Sequence, residues 1–325
     1  KDGAQWMVGD NTLALEKFGG FADNTTDCTQ AMSTCLLYGK AIYLGSGTYK
    51  FMGSPGVEYS QMRDPKVEIY GKGMGLTVLN LANTAPYLPG IRINNSGSST
   101  PNLTTTRMSG FSIGRDNPDG YTGIIGPKSL WVRYSSNVVI DGIEEYGAIG
   151  FGIAATNCYV VTIRNCIVRD HKGGSAHLSG TDGIDVWYGA HNNVYNNTIY
   201  NIGDDAISFV GNNTTPVNDN HATNNVITNC AGSVKLFGSS FGTEIGYNAI
   251  SNCLNGGVTL WTDATQTEAG SITSVNIHDN TITSCGGAGA TGGITINATG
   301  DSYAQVIDNV TIDNNTINNS PKGIS

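Results

Sequence analysis

Two acidic phrases, Thr181-Asp182-Gly183-Ile184-Asp185 and Gly203-Asp204-Asp205-Ala206-Ile207, stand 23 residues apart, counted from Asp182 to Asp205. Carboxylates held close together push one pKa up, which leaves a proton donor and a proton acceptor near neutral pH. Hydrolysis of a glycosidic bond needs such a pair. Two structural alternatives compete. Aspartates often cap turns by accepting backbone N–H bonds. They also ligate Ca²⁺ when oxygen ligands converge from several loops. The choice depends on whether 23 residues is a structural period.

It is a repeat length. The phrase Asn-x-Ile/Val recurs, anchored on Asn165, Asn197, Asn225, Asn248, Asn280 and Asn315. A base period near 23 residues with loop insertions accounts for these spacings. A second phrase follows each anchor: GIDV, AISF, VKLF, GVTL, GITI and, at the terminus, GIS. Each alternates as a half-buried strand does. Ile184/Val186, Ile207/Phe209, Val234/Leu236, Val258/Leu260 and Ile294/Ile296 are the expected inward positions. A period this short, built only from strands, predicts an all-β solenoid with parallel strands stacked coil on coil. Buried asparagine ladders suit its turns. A β-sandwich would place turns every ~8–12 residues without in-register repetition of phrases.

On that period Asp182 and Asp205 lie one above the other, about 4.8 Å apart at the backbone. One outward column reads Asp185, Ser208, Lys235, Thr259; the next reads Trp187, Val210, Phe237, Trp261. Sugars stack their C–H faces on aromatic rings, so Trp187, Phe237 and Trp261 are candidate substrate contacts, with Asp185 beside them. Lys235 would suit a uronate or sialate carboxylate, or pair with a neighbouring aspartate. The insertion RDHKGGSAHLSG is expected to overhang the acidic coil, bringing His171 and His177 within reach of acid–base chemistry.

Composition agrees with a strand-and-turn protein. Glycine makes up 44 of 325 residues and charged residues only 13 %, so long helices are disfavoured. The net charge of −9, with no basic run, argues against nucleic acid as a partner. No apolar run approaches a membrane span. The seven cysteines lack zinc spacing, and Cys230, Cys253 and Cys285 close equivalent phrases, which predicts a stack of small buried side chains. In the N-terminal third, TTDCTQAMSTCLLYG sets Cys28, Ala31, Met32, Cys35 and Leu36 at helical spacing behind Thr/Asp caps. Such a helix would close one end of the solenoid.

The stretch LEKFGGFADNTTDCTQAMSTCLLYGKAIYLGSGTYKFMG, followed by IYGKGMGLTVL, resembles the opening of the pectate-lyase-like superfamily. The resemblance implies a single-stranded right-handed parallel β-helix with a short N-terminal capping helix. Bacteriophage tailspikes, polysaccharide depolymerases and alginate epimerases use this opening. With the final SPKGIS falling in mid-coil, the expected organisation is a lead-in at 1–20, the β-helix at 21–325, and a further C-terminal region beyond. The acidic phrases are also similar to those of polygalacturonases. That likeness implies Asp204 as general acid, with Asp182 and Asp205 activating water. The Gly-His-Gly and Arg-Ile-Lys motifs of that family are replaced here by AGSVKLFG and NGGVTLWTD, which puts pectic substrates in doubt.

Together these readings predict an endo-glycosidase that depolymerises a bacterial capsular or O-antigen polysaccharide. It would act outside the cell, as a homotrimeric phage tailspike, and need no cofactor, with Ca²⁺ as the alternative use of the carboxylates. A lyase or epimerase acting on a uronate glycan, with Lys235 or a histidine as base, is the competing enzyme. A non-catalytic β-helix adhesin is the third reading. If subunits share the site, Glu144, Glu145 and Glu244 are further candidates.

Overall fold

Each expected strand phrase forms a short strand, and each pairs in parallel with its equivalent in the next coil. In the computed structural model the described residues are 12–81, 90–94, 102–115, 118, 127–174, 176, 178–266, 269–287, 291–299 and 305–325. They form three parallel sheets wound as a right-handed β-helix. The first sheet runs from Thr12–Ala14 to Ile307–Asp313 and the second from Asp23–Asp27 to Thr316–Asn318. The third, which carries the acidic phrases, runs from Gly56–Glu58 to Ile294–Thr299.

The third sheet starts one coil late because a helix takes the place of its first strand. Thr29–Leu37 buries Ala31, Met32, Cys35 and Leu36, the positions expected from the sequence. Asp27 Oδ1 accepts the Thr29 N–H at 3.0 Å, capping the helix. Ser33 Oγ accepts the N–H of Gly56 at 3.3 Å, and Thr29 Oγ1 that of Gly53 at 3.0 Å. The helix thus satisfies donors that an open sheet edge would leave bare.

Inside, the sheets bury columns of like residues. Ile184, Ile207, Val234, Val258 and Ile294 are in register and fully buried. Each such side chain stabilises by about 1.5–3 kcal/mol. Polar rungs fix the register. Asn197, Asn225, Asn248 and Asn280 each donate from Nδ2 to Oδ1 of the asparagine in the next coil, at 2.9–3.0 Å. The same side chains donate to backbone carbonyls of the preceding coil. Asn165 departs from expectation. It is exposed with φ 54° and donates to Asp141, while Cys166 occupies the ladder position and donates its N–H to Asn197 Oδ1. Asn165 is instead equivalent to Asn196, Asn224, Tyr247, Asp279 and Asn314, the left-handed residues that precede the ladder asparagines.

All seven cysteines are buried and free, and burial pushes the thiols of Cys158 and Cys166 up to about 12. On the outer face of the first sheet, imidazoles and carboxylates alternate across four coils. His191 meets Asp219 at 2.6 Å, Asp219 meets His221 at 3.1 Å, His221 meets Glu244 at 2.8 Å and Glu244 meets His278 at 3.0 Å. Hydrogen bonding to Asp279, then to Glu244, raises the His278 pKa against the opposing pull of burial. Hydrogen bonds from His221 and His278 lower that of Glu244.

Two outcomes are expected. Asn248→Ala removes four hydrogen bonds and strands buried amide groups of Asn225; it should cost roughly 3 kcal/mol, read as a lower melting temperature. The His278 contribution is complete below an unfolded imidazole pKa of about 6.5 and fades as pH rises through the raised folded value. Thermal melts from about pH 5.5 to about pH 8 should therefore fall less steeply in Glu244→Gln than in the parent.

Candidate active site

The two acidic phrases end on adjacent strands of the third sheet, Ile184–Trp187 and Asp205–Gly211. Ile184 pairs with Ile207, which stacks Asp182 on Asp205, and the Asp205 N–H reaches Asp182 Oδ1 at 3.3 Å. Small residues permit this approach. A Cβ on Gly183 would sit 2.6 Å from Ala206 O, and one on Gly232 only 2.1 Å from Asp205 Oδ1.

Oxygens of Asp182, Asp204 and Asp205 lie within 4.8 Å of one another. Asp204 Oδ2 accepts the Gly180 N–H at 2.7 Å. Asp205 Oδ2 is held by Lys235 Nζ at 2.9 Å. Burial would lower the Lys235 pKa, but Asp205, Asp204 and Asp182 outweigh it and keep the ammonium charged. Asp182 is 6 % exposed. Burial, then repulsion from Asp185, Asp205 and Asp204, drives its pKa well above the carboxylate range. The cluster holds protons where isolated aspartates would not.

Asp185 faces outward in register but is covered: it is 1 % exposed, and neither oxygen has a hydrogen-bond partner of normal geometry among the described residues. Burial pushes its pKa up to about 8, against the pull of Lys128, Trp187 and Ser208. Trp187 meets Phe151 edge-on at 6.2 Å and Tyr188 at 5.6 Å. Phe237 and Trp261 meet at a tilt of 44°, ring centres 5.2 Å apart, with Lys235 Nζ 4.9 Å from the Trp261 ring centre. A cleft of about 260 Å³ joins Asp204, Asp205, Lys235 and Trp261 to Asn255, Thr259, Thr291, Thr295 and Asn297. A roomier cleft, about 490 Å³, is lined by residues including Glu16, Tyr43 and Lys72, with no paired carboxylates among the described residues. We place the site by its chemistry, at the smaller one.

The histidines divide. His177 lies outside the described residues. His171 is buried rather than overhanging: Nε2 meets Glu145 at 2.6 Å and Nδ1 meets the Thr181 carbonyl at 3.3 Å, bracing the residue before Asp182. Glu144 pairs with Arg169, and Glu244 belongs to the histidine ladder.

A family model described as the right handed beta helix region matches residues 89–272. The chain belongs to this family. No curated protein matches its sequence. Among solved structures it is similar to a hyperthermoactive exopolygalacturonase from Thermotoga maritima, at 13 % identity over 93 % of this chain and 80 % of that one, with TM-score 0.66. It is similar to the A-module of a mannuronan C-5 epimerase from Azotobacter vinelandii, at 17 % identity over 96 % and 97 %, with TM-score 0.52. It is also similar to the ORF18 protein of Geobacillus virus E2, at 15 % identity over 94 % and 62 %, with TM-score 0.53. Identities this low carry the fold alone.

On this right-handed β-helix two site residues escape sequence reasoning. Gly232 gives no signal until its register opposite Asp205 is known. Lys128, two residues before the strand Leu130–Arg133, sits over the Phe151 ring at 4.1 Å and the Trp131 ring at 5.0 Å. Burial lowers its pKa, while Asp185 and Asp182 pull it back up. It thus flanks the acidic cluster on the side away from Lys235. Phrase repetition could not reveal it, because it belongs to no strand.

A test follows from Asp185. Its folded pKa is raised, so the folded state binds a proton that the unfolded state releases at about pH 4, and stability falls as pH climbs towards 8. Asp185→Asn should flatten that fall and melt at a higher temperature than the parent at pH 8.

Proposed function

We propose that this protein is a glycoside hydrolase that cleaves within a polysaccharide, using Asp204 as proton donor and Asp205 to activate water, with Asp182 holding the cluster's proton beside them. The observation that carries the reading is the triad of carboxylates within 4.8 Å of one another, with one member pinned by an ammonium. Lys235 fixes negative charge on Asp205, which suits a base. The proton that the crowded cluster retains lies towards Asp182. Asp204, with an oxygen within 4.8 Å of that carboxyl, lines the cleft, where it can meet a glycosidic oxygen. Proton transfer of this kind contributes about 10²–10⁴-fold to rate.

Phe237 and Trp261 offer a stacking platform beside the acids. Lys235 and Trp187 shape the approach from neighbouring coils, and Asp185 lies covered beneath them. A similar structure named an exopolygalacturonase supports a carbohydrate-cleaving role for this architecture. The phage protein of like fold supports a virion-borne, extracellular depolymerase of bacterial capsular or O-antigen glycans, assembled as a homotrimer. The epimerase of like fold keeps lyase or epimerase chemistry as the rival. Against that rival, Lys235 is held protonated and His171 is enclosed with Glu145, so neither is placed to act as a base.

Mass spectrometry of digests from a panel of capsular and O-antigen polysaccharides tests this. Hydrolysis gives fragments one water heavier than the internal repeat, and Asp204→Asn should lower their rate about 10³-fold. Unsaturated fragments without that water would replace hydrolysis with elimination.

A further inference from the structure

A second pocket lies on the flank of the solenoid, where the chain turns from the third sheet to the first. It encloses about 220 Å³ and is lined by residues including Asn157, Tyr159, Tyr188, Thr215, Pro216 and Asn218. That is below the ~300–1,000 Å³ of pockets that enclose drug-sized ligands, and suits one sugar ring rather than an oligosaccharide. Among the described residues, none that lines it is ionisable as a carboxylate, ammonium or guanidinium. Tyr159 is 53 % exposed, and its ring stands edge-on to His191 at 5.2 Å. Asn218 lines the pocket and is only partly buried, which leaves part of its amide for a ligand.

The left-handed turn recurs in this wall: Tyr134, Asn157 and Tyr188 hold equivalent positions in successive coils, with φ of 52°, 53° and 57°, and the Tyr188 ring lines the pocket. That ring is also continuous with the acidic face, because Tyr188 packs on Trp187 and Trp187 on Phe151.

We infer that this pocket is a distal subsite for a single uncharged pyranose residue, with Tyr159 and Tyr188 as its walls and the amides of Asn157 and Asn218 as hydrogen-bond partners. An aromatic face and an amide make up the chemistry a neutral sugar needs: an apolar surface for its C–H bonds and a fixed partner for its hydroxyls. A polysaccharide leaving the acidic cleft past Trp187 would turn around the solenoid and be held here, outside the bond-breaking site. The sugar assignment rests on the polysaccharide reading above, but its test involves no cleavage, so either can fail without the other.

Saturation-transfer-difference NMR with methyl α-D-glucopyranoside and methyl α-D-galactopyranoside reads the subsite directly. At least one glycoside should show transfer to its ring protons. That signal should fall about fivefold or more in Tyr159→Ala and in Tyr188→Ala, each melting like the parent, and persist in Trp261→Ala. A signal abolished by Trp261→Ala but unchanged in both tyrosine variants would overturn the inference. So would the absence of transfer from either glycoside to the parent protein.

Discussion

Parallel register is the constraint on which everything else depends. Strands stacked about 4.8 Å apart force like positions of successive coils into contact. For asparagine the contact is favourable, since each amide is both donor and acceptor, and Asn197 through Asn315 form an unbroken rail. For aliphatic residues it builds the core. For aspartate it is costly, and the coils carrying Asp182 and Asp205 are the place where the protein accepts that cost. The rule that makes the scaffold stable therefore also brings oxygens of three carboxylates within 4.8 Å of one another.

Two lysines make this crowding tolerable, and they do so differently. Lys235 arrives from the next coil in register and closes on Asp205 directly. Lys128 comes from a turn on the opposite side and lies over aromatic rings, where it is felt by Asp185 and Asp182. Below the sheet, the enclosed Glu145–His171 pair holds the Thr181 carbonyl and hence the entry to the acidic strand. The carboxylates are thus braced from three directions.

Much of this was legible in the sequence, for a physical reason. A solenoid writes its three-dimensional register along the chain, so the phrases GIDV, AISF, VKLF and GVTL give the columns of the third sheet directly. Asn165 was misread by one residue because its coil has a cysteine at the ladder position, and a left-handed asparagine next to it mimics the phrase. Lys128, Phe151 and Gly232 carry no periodic signal, and their relation to the acids exists only after folding. The burial of Asp185 was hidden too, because alternation gives the face on which a side chain lies and not what covers it.

The ladder asparagines tolerate intervals as short as 23 and as long as 35 residues without breaking their rail. Lengthening a loop costs chain entropy only logarithmically. The turns can therefore be lengthened, exchanged or reshaped while the acidic coils stay in place. Scaffold and outer surface are decoupled in such a molecule, so a lineage can remodel its surface by editing its turns, leaving the acidic coils unaltered.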